Sequence, residues 1–439
     1  MAGWFDLLAV LGALAAWTAA LYVLDWRGLL AKRNLVPVGP FLMVKTRRGR
    51  GLIDRVARRR RAWQAFGDLS IAIVALTMVA ITVLLVWEAT LVRSIPPDRA
   101  PTPEMLLGIP GLNPVIPLGY GIFALVIAVG IHEFFHGILA RASKVGIESL
   151  GILFAIVPIG AFVEPSEAGM RALPRRERAR IYSVGASINI LLAVLFGALF
   201  STMMMSVVPA QQGIGIIQFT NDTAPAKLAG MPVQSIITSV NNTATPTLAA
   251  FQAAMTRTSP GQAVFVVAWK DGTSATYTVT LGNDGKGRPI LGIQALETTT
   301  SYYHPFTDAD RYGGIPGALL VYISLPFTGR APLQSPTTDF YVVTGPWAAV
   351  PEPVFYLLAN ALYWLFWLNL MLGATNALPA VPLDGGFVFK DGVGALLARL
   401  RGGAAPERRE RTSRIVSYAF AVLILALILW QFIGPRLPF

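Results

Sequence analysis

The chain has 439 residues, of which 54% are hydrophobic and only 14% are charged. This composition is too apolar for an ordinary soluble domain and predicts a protein that crosses a membrane several times. The absence of cysteine excludes disulfides, thiolate nucleophiles and cysteine-ligated zinc, so any metal site must use histidine and carboxylate ligands. The net charge of +12 comes from arginines beside hydrophobic segments, which favours a lipid bilayer, and no nucleic acid, as partner.

Six apolar segments are long enough to cross the hydrocarbon core of a bilayer, which takes about 20 residues in a helix. No basic residue precedes the first segment, and the only early charge is that of Asp6, so we expect a retained helix and not a signal peptide. In chain order the predicted spans are residues 7–24, 71–87, 117–140, 181–208, 354–372 and 415–433.

Basic residues accumulate in three loops, those after the first, third and fifth predicted spans. Because cytoplasmic loops carry such an excess, we predict these loops on the cytoplasmic side. Both termini and residues 209–353 are then extracytoplasmic, and the protein is a multi-pass protein of the cell membrane. The arginine run at residues 58–61 is interpreted as a set of headgroup anchors, with nucleic-acid binding as the alternative.

The third predicted span contains the sequence His-Glu-x-x-His. A helix brings positions i and i+4 to one face, so His132 and His136 can bind one metal ion while Glu133 stands beside the reacting water. This pattern is typical of zinc hydrolases; the alternative is hydrogen bonding of the three side chains to neighbouring helices. His132 lies roughly 22 Å from the outer face at about 1.5 Å per residue, hence within the bilayer and nearer the cytoplasm.

Residues 209–292 are rich in Thr, Val, Gly, Asn and Gln, which predicts a small β-rich domain outside the membrane. Two alternating segments, residues 263–269 and 276–281, flank Asp271-Gly272, which is a strong hairpin signal. Short helices are predicted at residues 225–229 and 247–256.

Residues 298–353 are rich in Pro, Gly, Thr and aromatic residues and are predicted to form irregular structure on the membrane surface. Their apolar patch, residues 315–325, is too short to span a bilayer.

A catalytic zinc site normally takes three protein ligands and leaves a fourth position for water. The best candidate for the third ligand is Asp384, in a Leu-Asp-Gly-Gly sequence just after the fifth span and therefore near the depth of the histidines. A simple turn after a helix is the alternative interpretation of this sequence. Other acidic residues near predicted interfaces are weaker candidates: Glu88, Glu148, Glu164 and Glu167.

Together, the membrane His-Glu-x-x-His, the later Asn-x-x-Pro and Leu-Asp-Gly, and the outer β-rich domain resemble the site-2 protease family of intramembrane zinc metalloproteases. The resemblance covers most of the chain from about Val38 onward, and residues 39–46 are similar to those of archaeal members. The outer domain resembles a PDZ module through residues 223–230 and 236–242, although residues 232–235 depart from the usual pattern.

The resemblance implies that His132, His136 and Asp384 are the ligands of one zinc ion per chain and that Glu133 is the general base. It also implies a catalytic role for Asn189, whose Gly-Ala-Ser-Ile-Asn sequence is similar to the Gly-Pro-x-x-Asn of the family, with Ala186 in place of proline. Asn189 is expected to bind the substrate backbone or the developing oxyanion. The plainer alternative is an asparagine that joins neighbouring helices.

These observations predict an α-helical multi-spanning membrane protein with about six transmembrane helices and an inserted small β-rich PDZ-like domain. Five regions follow: N-terminal helices with a basic loop (1–116), the catalytic membrane core (117–208), the PDZ-like domain (209–297), a membrane-surface segment (298–353) and C-terminal helices with the Leu-Asp-Gly motif (354–439).

The implied function is cleavage within or near the transmembrane segment of a membrane-protein substrate, as in regulated intramembrane proteolysis. Because a transmembrane helix hides its carbonyls, the substrate must unwind locally. Residues 147–154 and 159–163 flank Pro158 and predict a hairpin that enters the membrane and pairs with the unwound substrate; a loop lying on lipid is the alternative.

The PDZ-like domain is expected to take an extracytoplasmic peptide or tail. Two further alternatives are a quality-control zinc protease and a non-catalytic PDZ-type receptor.

Overall fold

The computed structural model describes residues 2–30, 34–46, 49–97, 100–106, 108–155, 157–400 and 406–437. The chain divides into two compact units. We call Met1–Leu195 together with Trp364–Phe439 the membrane unit, and Phe196–Tyr363 the β-rich unit.

The membrane unit contains most of the long helices. In chain order the helices are α1 (Ala2–Trp26), α2 (Arg50–Val56), α3 (Arg60–Leu91), α4 (Leu118–Ala142), α5 (Glu167–Ala172), α6 (Arg175–Met204), α7 (Pro225–Leu228), α8 (Leu248–Met255), α9 (Ile315–Ser324), α10 (Glu352–Asn376), α11 (Asp384–Leu400) and α12 (Pro406–Ile433). The membrane unit also contains the short α2 and α5, and the short helices α7, α8 and α9 belong to the β-rich unit.

Five helices in the described part of the chain are long and apolar enough to cross a membrane: α3, α4, α6, α10 and α12. They coincide with the second to sixth predicted spans and support a multi-pass membrane protein. The first predicted span, residues 7–24, falls on α1, where the side chains of residues 2–11 and 14 lie outside the described residues. The number of six spans therefore stays a prediction.

The strands form separate sheets in the two units. In chain order they are β1 (Leu35–Val38), β2 (Phe41–Thr46), β3 (Ile147–Ala155), β4 (Val157–Pro165), β5 (Val207–Pro209), β6 (Ile214–Phe219), β7 (Ile236–Val240), β8 (Thr243–Ala244), β9 (Ala263–Lys270), β10 (Thr273–Thr280), β11 (Gly282–Asn283), β12 (Pro289–Ile290), β13 (Ile293–Glu297) and β14 (Tyr341–Val343).

The membrane unit contains a four-stranded antiparallel sheet in the order β1-β2-β3-β4. The predicted hairpin at residues 146–164 corresponds to β3 and β4, whereas β1 and β2 were not predicted. Because β2 pairs with β3, the edge available for a further strand on this side is that of β4. This edge strand lies along α4, where Val163 approaches Gly137 and Gly160 approaches Val129.

In the β-rich unit an antiparallel sheet has the order β10-β9-β7-β6-β13. Alternate residues of β9, such as Val264 and Val266, are buried in a core with residues of β6, β7 and α8, as the alternating sequence predicts. The β9–β10 turn contains Asp271 (φ 49°) and Gly272 (φ 83°), the two left-handed positions that a tight hairpin of this type requires. The short helices predicted in this region correspond to α7 and α8.

Candidate metal centre

Helix α4 supplies two side-chain rows to the centre of the membrane unit. One row faces β4 and consists of Val129, Glu133 and Gly137, spaced by four residues. The neighbouring row contains His132 and His136, whose ring centroids are 4.8 Å apart. His132 is 6% exposed, so its imidazole is removed from solvent even before a bilayer is considered. The two histidines and the glutamate between them therefore lie on neighbouring faces of the helix.

Asp384 is the first residue of α11, a helix that the sequence analysis did not predict. The preceding loop folds tightly against this helix start, since a Cβ on Gly385 or Gly386 would collide with the backbone of Ala377 to Val381. Only glycine permits this close approach. The tight loop brings the Asp384 carboxylate to the two histidines, of which His136 lies 248 residues earlier in the chain; a simple turn after a helix would not do so.

The nearest nitrogen and oxygen atoms of these three side chains form a compact triangle. The Nε2 atoms of His132 and His136 are 3.1 Å apart. Asp384 Oδ2 lies 3.1 Å from His136 Nε2 and 3.2 Å from His132 Nε2. Ligands that hold zinc tetrahedrally at about 2.0–2.1 Å are separated from one another by about 3.3 Å. The three residues therefore fit a zinc ion.

Gly185 of α6 leaves space beside the two imidazoles. A Cβ built on this residue would overlap His136 Nε2 and would lie 2.5 Å from His132 Nε2. No side chain is tolerated there without displacing a ligand nitrogen. In the sequence, Gly185 begins the Gly-Ala-Ser-Ile-Asn segment that ends at Asn189, and the sequence alone gave it no role. The packing of α4 against α6 shows that Gly185 leaves room for the two imidazoles.

The orientation of His136 is fixed by the backbone of α6. Its Nδ1–H donates to the carbonyl oxygen of Ile181 at 2.7 Å, which leaves Nε2 free to act as a ligand. A backbone carbonyl in this position is a common partner of metal-binding histidines, because it sets the tautomer and the ring orientation.

Glu133 points towards β4 rather than into the triangle. Its Oε2 accepts a hydrogen bond of 2.9 Å from the backbone N–H of Val163. This amide therefore faces away from β3, and the two-residue alternation of a strand turns the amide and carbonyl of Ala161 to the same side. The free edge of β4 and the glutamate thus meet at one place.

Asn189 lies one helical turn after Gly185 on α6 and is fully buried. Neither its amide nitrogen nor its amide oxygen has a hydrogen-bond partner in the described part of the chain. A buried amide without partners is energetically unfavourable and rare. This finding argues against an asparagine that serves only to join helices. It favours an asparagine whose side-chain amide hydrogen-bonds to a bound substrate.

The weaker candidates for the third ligand are not brought to the histidines. Within the described residues, the metal-type grouping around the histidines consists of His132, His136 and Asp384. Glu164 instead pairs with Lys45 at 2.8 Å, and Glu167 pairs with Arg171 at 2.8 Å.

One family model and one archaeal relative match most of this chain. Residues 120–425, well over half of the chain and including every candidate ligand, match the sequence model of Peptidase family M50. The chain is also 25% identical over 390 residues to an uncharacterized protein of Methanocaldococcus jannaschii, an archaeal relative; the alignment covers 88% of this chain and 84% of the relative. The chain therefore belongs to Peptidase family M50, the zinc metalloproteases of the site-2 protease type.

Proposed function

We propose that this protein hydrolyses a peptide bond within or near the transmembrane segment of a membrane-protein substrate, as in regulated intramembrane proteolysis. The observation that carries the proposal is the largely buried triangle of His132, His136 and Asp384, together with an unpartnered Asn189. Ionisable groups at such a position in membrane-spanning helices are costly and are usually retained for function. In this proposal the three residues hold one zinc ion per chain.

Each side chain has a separate task. When bound, zinc polarises the scissile carbonyl and makes water a better nucleophile at neutral pH. Glu133 accepts the proton of the attacking water and passes it to the leaving amide nitrogen. Asn189 donates its amide N–H to the substrate carbonyl oxygen as negative charge develops there, which satisfies the unpartnered group in the transition state.

The edge of β4 is the proposed docking place for the unwound substrate. The outward amide and carbonyl of Ala161 can pair with an added strand, as in other β-augmentation complexes. Such a strand would hold the scissile bond beside the glutamate, since Val163 itself contacts Glu133. It would also satisfy the backbone groups that the substrate exposes when its helix unwinds.

The proposed topology places the β-rich unit outside the cell and the metal centre towards the cytoplasmic side of the bilayer. The arginine-rich loops support this orientation. The β-rich unit, interpreted as containing the PDZ-like domain, has a groove of about 540 Å³ lined by α8 and residues 288–293, among others. This groove is large enough for the apolar side chains of an extracytoplasmic peptide or tail.

The experiment that tests the function uses full-length protein purified in detergent and a tagged single-span model substrate. Wild type is compared with Glu133→Gln, and zinc is determined on both proteins. We expect about one zinc ion per chain in each, since Glu133 is not a proposed ligand. The general base contributes roughly 10²–10⁴-fold to the rate, so the variant should lose that factor in turnover.

The position of the cut distinguishes the alternatives. A cut within the span supports the proposal, whereas cleavage of soluble or misfolded chains alone would favour a quality-control protease. Failure of both proteins to retain zinc, with no cleavage by wild type, would show that the assigned site is wrong and would favour a PDZ-type receptor. Unchanged cleavage by Glu133→Gln would show that Glu133 is not the general base.

A further inference from the structure

Helices α6 and α11 contact each other through one row of side chains on each helix. On α6 the row contains Arg178 and Tyr182, and three residues after Tyr182 it reaches Gly185 at the metal centre. On α11 the row begins with Asp384 and continues with Phe387 and Asp391. Spacings of three and four residues place the members of each row on one helix face.

The far end of this interface is a forked ion pair. Arg178 Nη2 lies 2.8 Å from Asp391 Oδ1, and Arg178 Nε lies 3.1 Å from Asp391 Oδ2. The two side chains are only 23% and 14% exposed. Nη1 of the same guanidinium also donates to the carbonyl oxygen of Leu173. A two-bond pair between a planar guanidinium and a carboxylate fixes relative orientation as well as distance.

A ring pair occupies the middle of the interface. Tyr182 and Phe387 stack with centroids 5.0 Å apart and an interplanar angle of 22°. The ion pair and the ring pair therefore join the same two helices at successive turns, in line with the metal centre. Asp391 is about 10 Å along the α11 axis from Asp384, at 1.5 Å per residue.

We infer that Arg178 and Asp391 are positioning residues that fix the rotation and axial position of α11, and with them the carboxylate of Asp384. The reason is geometric. His132 and His136 belong to α4, and the backbone of α6 orients His136. Asp384 belongs to α11. A metal site tolerates only about 0.2 Å of variation in ligand distance. A small slide of α11 along α6 would exceed this limit.

The same helix offers a matched control. Arg180 of α6 forms a forked pair with Asp68 of α3 at 2.9 and 2.7 Å, and these side chains are 12% and 34% exposed. Helix α3 carries none of the proposed ligands. Loss of this pair should therefore affect the stability of the membrane unit without moving Asp384.

The test measures zinc affinity by competition with a chromophoric chelator, using the full chain in detergent. The variants are Arg178→Met, Asp391→Asn and the control Asp68→Asn. Outer partners of a metal site typically contribute 10- to 100-fold to affinity, and we expect roughly tenfold weaker binding for the first two variants because they act through a helix. The control should remain within about twofold of wild type. Thermal unfolding of the apo-proteins reports general destabilisation separately.

Two further measurements distinguish positioning from folding. The double variant Arg178→Asp with Asp391→Arg should recover zinc affinity, because the pair is rebuilt in reverse. Cobalt-substituted Asp391→Asn should give an altered visible d–d spectrum, whereas cobalt-substituted Asp68→Asn should give the wild-type spectrum. Equal zinc affinity and equal cobalt spectra in Asp391→Asn and Asp68→Asn would overturn the inference and indicate that the tight loop before Asp384 positions the ligand alone.

This inference rests on the proposed zinc site, and the two can fail separately. Wild type that retains no zinc would refute the site and the inference together. Wild type that binds zinc, with Arg178→Met and Asp391→Asn behaving like Asp68→Asn, would refute only the inference.

Discussion

Gly185 provides the sharpest test of the metal centre, because an alanine there adds one methyl group beside the two histidines. Its Cβ would lie 2.5 Å from His132 Nε2 and 2.6 Å from His132 Cε1. Non-bonded heavy atoms need about 3.5 Å, so an imidazole must retreat by roughly 1 Å. Zinc–ligand distances vary by only about 0.2 Å, and we therefore expect one ligand bond to be lost.

The magnitude follows from the affinity of zinc sites. Apparent zinc-binding free energies of about 10–16 kcal/mol, divided over four ligands, give about 3 kcal/mol for each. Gly185→Ala should thus weaken zinc binding on the order of 100-fold. The helix itself should tolerate the change, because alanine is favoured over glycine in a helix by about 1 kcal/mol.

The assay is zinc content after dialysis, followed by chelator competition, on detergent-purified protein. Gly130→Ala is the matched control: it lies on α4, in the same span as the histidines, and a Cβ on Gly130 meets nothing within 4 Å. The control should bind zinc as wild type does. Wild-type affinity in Gly185→Ala, with normal zinc content, would refute the assignment of the space beside Gly185 to the metal.

Three further predictions concern the groups around the centre and the β-rich unit. Asn189→Ala should retain zinc and lose roughly 10²–10³-fold in kcat, the usual effect of removing one oxyanion donor; an unchanged kcat would return this residue to a packing role. Ala161→Pro removes an amide that faces away from β3 and does not contact Glu133, so the sheet should persist while cleavage of the model substrate falls; unaffected cleavage would exclude the β4 edge as the docking place. In the β-rich unit, backbone N–H groups of Arg288 and Lys286 lower the pKa of Asp284 from 3.8 to about 2. This depressed pKa stabilises the folded unit above pH 4 and the stabilisation is lost between about pH 4 and 2, so thermal unfolding of Asp284→Asn should depend less on pH in that range than wild type.

Local sequence determined the candidate spanning helices, the row of His132 and His136 on α4 and the hairpin turn at residues 271–272. Each depends on residues that are close in the chain: an apolar stretch of sufficient length, a four-residue spacing on one helix, or two positions that permit left-handed backbone. The resemblance to the site-2 proteases added Asn189 and a role for Asp384. The structure places the second predicted span within a longer helix, α3, which begins at Arg60.

The tertiary structure decided what these elements do together. It showed that β2 covers one edge of the predicted hairpin and leaves β4 free, that Val163 contacts Glu133, and that Gly185 makes room beside the histidines. In the structure, the Leu-Asp-Gly sequence leads into α11, and the Arg178–Asp391 pair joins this helix to α6. These features depend on distances between segments far apart in the chain. Spacing along one helix does not encode such distances, which arise only when α4, α6, α11 and the sheet pack around one site.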